Sequence, residues 1–552
     1  MWRVSSHGAS RPGSASCRPL PCEAATTTAV ARRGPGARRA NRSLTPIRRG
    51  TLSMKPCLAA ALILGCLALP CVAEQPTGYL ATGTDWRTPY YIIESGQPGP
   101  VVMIVGGMHG NEPAGYRAAE QIRHWPISRG VLVVVPALNV PGLEASTRSM
   151  PGIENEDHRN ANRNFPKTDA PDVAFTPPCI DLWELTKWVR PDWCVDLHEG
   201  YDFHISNPDS VGSSVIHFAE DTGELAAACL EAVNATVIDL DRRLVPLGRG
   251  SVNGSWLRAC HDRLGADTFC FETTYKDQPI STRTRQHRVM TNEVLRAIGM
   301  IETDCADHVA PGPGADTTHV GLFDGDGTSG RGIDELTALL DTVPGWEVSH
   351  IGVADILGGV LDRLDVAVFP GGSGSKQARA LGEDGRRRVR DFVSGGGGYV
   401  GVCAGAYLCS AHYSWSLGIL DAAVYTGAIE VPGEGTKQLW YRGGSTMVDV
   451  ELTDAGRRAL GMERQTAFQC RYHNGPIISP HGDPAIPDYR VLARFRSENW
   501  RYQAQEGTMV GTPAIAAGEL GAGRVVAISP HPESLPELHD LVLGALAWTT
   551  RR

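Results

Sequence analysis

Short apolar runs of four or five residues alternate along this chain with longer stretches of helical period. In the first half the runs fall at 101–105, 131–135, 193–197 and 268–271. Runs of that length bounded by polar turns predict buried strands, and the helical stretches between them predict crossovers. Such alternation implies an α/β fold with a largely parallel or mixed sheet. Residues 303–318 break the rhythm with Pro311, Gly312, Pro313 and Gly314 among small and polar residues, and read as a linker. A second α/β pattern follows, with strands at 319–323, 366–369, 399–402 and 525–528 and a final helix over 536–548.

Composition changes the picture at the N-terminus. The chain has 552 residues and 42% hydrophobic content, which is too long for one ordinary domain and suits globular folding. Residues 1–53 hold ten Arg, no Lys and one acid, Glu23. From Met54 and Lys55 the chain enters a short apolar core over 58–69 that ends at Ala73 before Glu74, the pattern of a secretory signal. The core is short for a membrane span. Residues 54–73 are therefore expected to be a signal peptide and the mature protein to be exported. Residues 1–53 are then either an upstream extension or an Arg-rich transit segment.

Removing residues 1–73 leaves 41 basic against 60 acidic residues, about −19. A surface of that sign argues against a nucleic-acid partner. Nine of the fourteen cysteines remain, and none of their spacings resembles a zinc knuckle. The count is odd, so at least one thiol stays free.

Chemistry gathers where the predicted strands end, the usual place for ligands in α/β sheets. His109 and Glu112 lie three apart where 101–105 turns into a helix over 114–124, and can close on one metal ion. A helix start in which Glu112 only complements the dipole fits the same residues. Asn162 and Arg163 sit in a polar loop, where an arginine fork can bind a carboxylate bidentately. His198 ends an apolar strand and can offer an imidazole to a metal while Asp196 or a carbonyl holds its other nitrogen. Glu272 closes another, and a buried, unpartnered carboxylate there points to a function.

Taken in order, H-x-x-E, N-R-x-F-P, D-L-H and F-E-T-T resemble the zinc carboxypeptidase superfamily over residues 76–302. Within it the succinylglutamate desuccinylase and aspartoacylase branch is most similar. The resemblance implies one zinc per chain held by His109, Glu112 and His198, a substrate-binding pair Asn162 and Arg163, and Glu272 as general base. Two His and one Glu leave a fourth position for water, whose pKa the metal lowers. An oxyanion arginine is also implied, and Arg148 and Arg159 both lie in the right region. The Tyr that longer carboxypeptidases carry before the base is absent from 246–271, which favours the deacylase-like branch.

In the second half, Cys403 lies on a tight turn between an apolar run and a small-residue helix start, where the helix N-terminus activates a thiol. His531, with Glu533 two residues on, can supply a base, and backbone N–H groups of Gly371 and Gly372 an oxyanion hole. P-G-G-x-G, G-V-C-A-G-A and P-H-P-E resemble class I glutamine amidotransferases. With Arg442 to Gly444 and Tyr472 to Pro476, the segment 317–549 is more similar to the domain at the N-terminus of some biotin–protein ligases. The resemblance implies a triad of Cys403, His531 and Glu533. No synthetase partner is visible in the chain, so ammonia transfer is not expected.

The expected architecture is two three-layer α/β/α domains, a carboxypeptidase-like mixed sheet over 76–302 and a flavodoxin-like sheet over 319–552. The expected function is zinc-dependent hydrolysis of an amide bond near a free carboxylate, in a small peptide or an N-acyl amino acid. For an exported enzyme, cell-wall peptides are attractive substrates. The second half is an amidase or a binding module. The opposing reading is a non-catalytic exported protein that binds peptides or carbohydrates on two enzyme folds.

Overall fold

The computed structural model describes residues 75–309 and 317–550. The signal and upstream segments expected over 1–73 lie outside the described residues. The first sheet is built from β1 (Gly78–Leu80), β2 (Thr88–Glu94), β3 (Val101–Val105), β4 (Val131–Val135), β5 (Trp193–Gly200), β6 (Ser214–His217), β7 (Val245–Leu247) and β8 (Asp267–Thr274). Its order is β1-β2-β4-β3-β5-β8-β6-β7. The central four strands are parallel, and β2 and β6 run antiparallel to their central neighbours.

Alternate residues of the central strands feed two cores. Val102, Ile104, Val195, Leu197, Phe269 and Phe271 face one side, against the helices Pro113–Ile122 and Ile280–Ala297. Met103, Val105, Cys194 and Cys270 face the other, with Trp183 and Trp256. Burial on both faces is why these strands read as continuous apolar runs. Asp196 and His198 follow the parity of Cys194, and Glu272 that of Cys270. All three therefore project from one face.

The second half contributes β9 (Thr318–Phe323), β10 (Trp346–Ile351), β11 (Val366–Phe369) and β12 (Gly398–Val402). After these come β13 (Ala422–Val424), β14 (Ala428–Val431), β15 (Gly435–Gln438), β16 (Thr446–Leu452), β17 (Ala467–Tyr472) and β18 (Ile478–Pro480). The chain ends with β19 (Arg490–Phe495), β20 (Pro513–Leu520), β21 (Gly523–Ile528) and the helix His539–Thr550. The nine-stranded sheet runs β10-β9-β11-β12-β21-β20-β19-β16-β17. Its parallel block, β10-β9-β11-β12-β21, has the flavodoxin-like order 2-1-3-4-5. An antiparallel wing of four strands extends it, and the pairs β13–β18 and β14–β15 form separate ribbons.

Most predicted runs match strands to within a residue at their start, but β5 and β8 continue three residues further than expected. The ladder explains the difference, since His198 pairs with Glu272 and Gly200 with Thr274. The polar residues at the strand ends belong to the sheet itself.

Candidate metal centre and thiol site

The turn after β3 is tight. Gly107 takes φ +59°, and a Cβ on Gly110 would come within 1.9 Å of the Gly142 carbonyl carbon. Such a turn presents His109 beyond the carboxyl end of central strand β3 with 2% exposure. The following helix begins at Pro113, but Glu112 does not cap it. The backbone N–H of Ala114 instead donates to Glu199 Oε1 at 2.8 Å. That leaves the Glu112 carboxylate free to face the histidines.

Both imidazoles turn Nδ1 to that carboxylate, His109 to Oε1 at 2.8 Å and His198 to Oε2 at 2.7 Å. Behind them, His109 Nε2 meets Asn160 Oδ1 at 3.0 Å and His198 Nε2 meets Asp196 Oδ2 at 2.8 Å. A neutral imidazole carries one N–H, yet each ring faces two acceptors. The cluster therefore calls for positive charge, which a proton on His198 and the Arg148 guanidinium supply here and a cation beside the two Nδ1 atoms would supply as well. The candidate ligand atoms of His109, Glu112 and His198 all lie within 4.8 Å of one another, and all three residues are buried. This His₂Glu donor set suits zinc, and the acceptors behind the rings would orient them for it.

Burial opposes ionisation of Glu112, but the two histidines outweigh it and hold its carboxyl well below the usual range. Burial likewise disfavours charge on His198, and Asp196 and Glu112 outweigh it in the opposite sense, raising its pKa well above the ordinary value. Glu272, directly across the ladder from His198, is pushed up to about 8, chiefly by burial. The Cys270 thiol donates to its Oε1 at 3.7 Å.

Of the two arginines that spacing left open, Arg148 reaches the centre and donates to Glu112 Oε1. Arg159 turns away to the carbonyl of Ile153 and to Glu156. Arg163 lies near Arg148; partial burial and then that like charge lower its pKa. The Asn162 side chain is held from one end: its Oδ1 accepts from the backbone N–H of Trp256 at 3.2 Å, while its Nδ2 lies 3.0 Å from His198 Nε2. Two supports escaped sequence reasoning. Asn160 lies two residues before the N-R-x-F-P motif, and that proximity was the available signal. Glu199, held by Arg283 from a distant helix, left no local pattern.

In the second half, β12 runs into the short helix Ala404–Cys409 through Cys403, which adopts φ +50°. That strained corner lifts the side chain out of the sheet. Its thiol lies 3.5 Å from the carbonyl of His473. His531 Nδ1 donates to buried Glu533 Oε1 at 2.7 Å, and His531 Nε2 has no partner among the described residues. Burial disfavours charge on His531, but Cys403 and then Glu533 push it up to about 10. A Cβ on Gly371 would come 2.9 Å from His531 Cε1 and 3.8 Å from Cys403 Cβ, so this glycine packs directly against the pair. Cys403, His531, Gly371 and Gly372 share the wall of one cavity of about 730 Å³.

Comparison with known proteins agrees with this division. Residues 98–238 match the family model described as succinylglutamate desuccinylase/aspartoacylase catalytic domain. Residues 318–543 match the model described as biotin-protein ligase, N terminal. Over 115 residues the chain is 30% identical to N-alpha-acetyl-L-2,4-diaminobutyric acid deacetylase of Halomonas elongata, covering 20% of this chain and 32% of that protein. Over 174 residues it is 27% identical to the biotin–protein ligase of Schizosaccharomyces pombe, covering 30% of this chain and 25% of that protein. Among solved structures, the apo cell shape determinant protein Csd4 of Helicobacter pylori aligns at 20% identity and a TM-score of 0.32, over 38% of this chain and 55% of that one. The chain thus spans well under two thirds of each of these relatives. In turn along the chain, residues 98–238 are similar to succinylglutamate desuccinylase/aspartoacylase catalytic domains and residues 318–543 to the N-terminal segment of biotin-protein ligases.

Proposed function

We propose that the first half is a zinc-dependent hydrolase that cleaves an amide bond near a free carboxylate, in an N-acyl amino acid or a short peptide. One observation carries this reading: two buried imidazoles and a buried carboxylate converge, with a second carboxylate, Glu272, beside them in register. His109, Glu112 and His198 would hold the ion, which when bound supplies Lewis acidity to water and to the scissile carbonyl. Glu272 accepts a proton from the attacking water and returns it to the departing amine. In this reading Arg148 would steady negative charge on the carbonyl oxygen, and Arg163 would hold the substrate's carboxylate in a bidentate fork. Asn162, beside Arg163, would help to hold that carboxylate.

The test combines metal content with hydrolysis. Purified protein is expected to hold one zinc per chain and to lose activity on acyl amino acids or short peptides when chelated. Glu272→Gln should keep the zinc and lose about 10²–10⁴ of the rate. A protein that binds no metal, yet still binds peptides or carbohydrates, would favour the non-catalytic reading.

The second half supports a thiol chemistry of its own. In this reading Cys403 is the nucleophile, His531 the base, Glu533 its orienter, and the backbone N–H groups of Gly371 and Gly372 face the oxyanion. The strained φ of Cys403 beside a buried His–Glu pair favours it over an inert buried thiol. Cys403→Ala should leave metal-dependent hydrolysis intact while abolishing any second amidase activity.

A further inference from the structure

We infer that the thiol cavity takes an anionic, ring-bearing acyl compound considerably larger than a single amino acid, with its carboxylate at Arg471 and its ring against an aromatic wall. The inference rests on the thiol reading of Cys403 and adds the class of substrate.

Size is the first observation. A cavity of about 730 Å³ falls in the range that encloses ligands of many heavy atoms. Charge is the second. Among the described residues that line it are Arg331 and Arg471 and no Asp or Glu, in a chain with 61 acidic against 52 basic residues. Arg331 Nε donates to Glu335 at 2.7 Å, and Arg471 Nη2 lies 3.5 Å from the same carboxylate. One carboxylate behind two guanidinium groups leaves positive charge to spare. Arg471 is also rigidly placed: its Nε donates to Ser534 at 2.9 Å, and its carbonyl accepts from the His531 N–H at 2.7 Å. Arg471 and His531 line the same cavity, so an anion on Arg471 would lie in the chamber that holds the base.

The third observation is the wall. Tyr413 and Trp415 stack with centroids 4.5 Å apart and planes 11° from parallel, and both line the cavity. Trp440 lines it too, and is 44% exposed although it is a large apolar side chain. Aromatic faces left open beside cationic groups fit a ligand with a flat ring and a negative charge. In the step itself the Cys403 Sγ–C bond forms as the C–N bond breaks, and the leaving amine takes its proton from His531. Water then cleaves the thioester, releasing the acid and restoring the thiol.

Alkylation of Cys403 by iodoacetamide in the full chain, followed on its own peptide by mass spectrometry, provides the test. N-benzoylglycine, N-benzoylglycinamide, N-acetylglycine and glutamine are compared as protectants. N-benzoylglycine is expected to protect at concentrations about 10-fold or more below its amide, the worth of a charge-assisted contact. It should also protect several-fold better than N-acetylglycine, the worth of a ring contact. Arg471→Gln should bring acid and amide together, and Trp440→Ala should bring benzoyl and acetyl together. Equal protection by acid and amide in the unmodified protein, or best protection by glutamine, would overturn the assignment without any variant. A Cys403 that no neutral alkylator modifies faster than the other buried cysteines would overturn the thiol reading itself.

Discussion

Asp196 and Glu272 lie on one face of neighbouring strands and are buried for different reasons. Asp196 is fully buried, its Oδ2 set on His198 Nε2. Replacing it with Asn would remove the charge that orients the ring, and metal affinity should fall about 10–100-fold. Competition with a chromogenic chelator measures this, and unchanged affinity would show that the ring needs no such support. Glu272 is raised to about 8, chiefly by burial, in the metal-free chain. Its folded value lies above its unfolded one, so the stability it contributes is present at acid pH and is lost as pH rises through about 8. The metal-free protein should therefore melt at progressively lower temperature than its Glu272→Gln variant between pH 5 and pH 9. Parallel melting curves across that range would mean that the carboxyl is solvated.

At the scale of elements, β5, β8 and the turn between β3 and the helix Pro113–Ile122 bring His109, Glu112, His198 and Glu272 together, and each was legible to a different degree. The strands were plain because both their faces are buried and their apolar runs are unbroken. The endpoints were not, because polar residues such as Asp196, His198 and Glu272 look like loop until the ladder pairs them. In the second sheet the parallel block was legible for the same reason. The antiparallel wing was not, since β16 and β17 alternate buried and exposed positions and carry Asp449, Gln469 and Arg471. Of the centre, the ligands lay in short motifs, whereas the choice of Arg148 over Arg159 depends on the path of a loop. The buried Glu199 with Arg283 joins three elements and was invisible in any window. Its carboxylate holds the first N–H of the helix that follows Glu112. Arg283→Ala would strand that charge, at a cost of about 3–5 kcal/mol. Hydrogen exchange should report the loss first at residues 113–117, and protection there equal to the parent protein would refute this role for the pair.

The whole molecule raises the question of whether its halves act as one body. Helix Ile280–Ala297 of the first half carries Arg288, which is fully buried and donates to Gln121, to the carbonyl of Ala306 and to Asp355 of the second half. Ser281 on the same helix donates through its hydroxyl to the Asp324 carbonyl, and Arg117 pairs with Asp341 at 2.7 Å. A guanidinium out of water is tolerable only while its partners stay in place, so separation of the halves would expose or orphan it. Coupled unfolding in a single calorimetric transition is therefore expected for the intact protein. Asp355→Ala should cost about 3–5 kcal/mol and split that transition in two, because it leaves Arg288 charged and unpaired inside the joint. The double variant Arg288→Met, Asp355→Ala should recover much of the loss, since it removes the stranded charge along with its partner. If Asp355→Ala melts as the parent does, or if the parent itself melts in two steps, the joint does not bind the halves together. In that case the metal centre and the thiol cavity are independent devices on one chain.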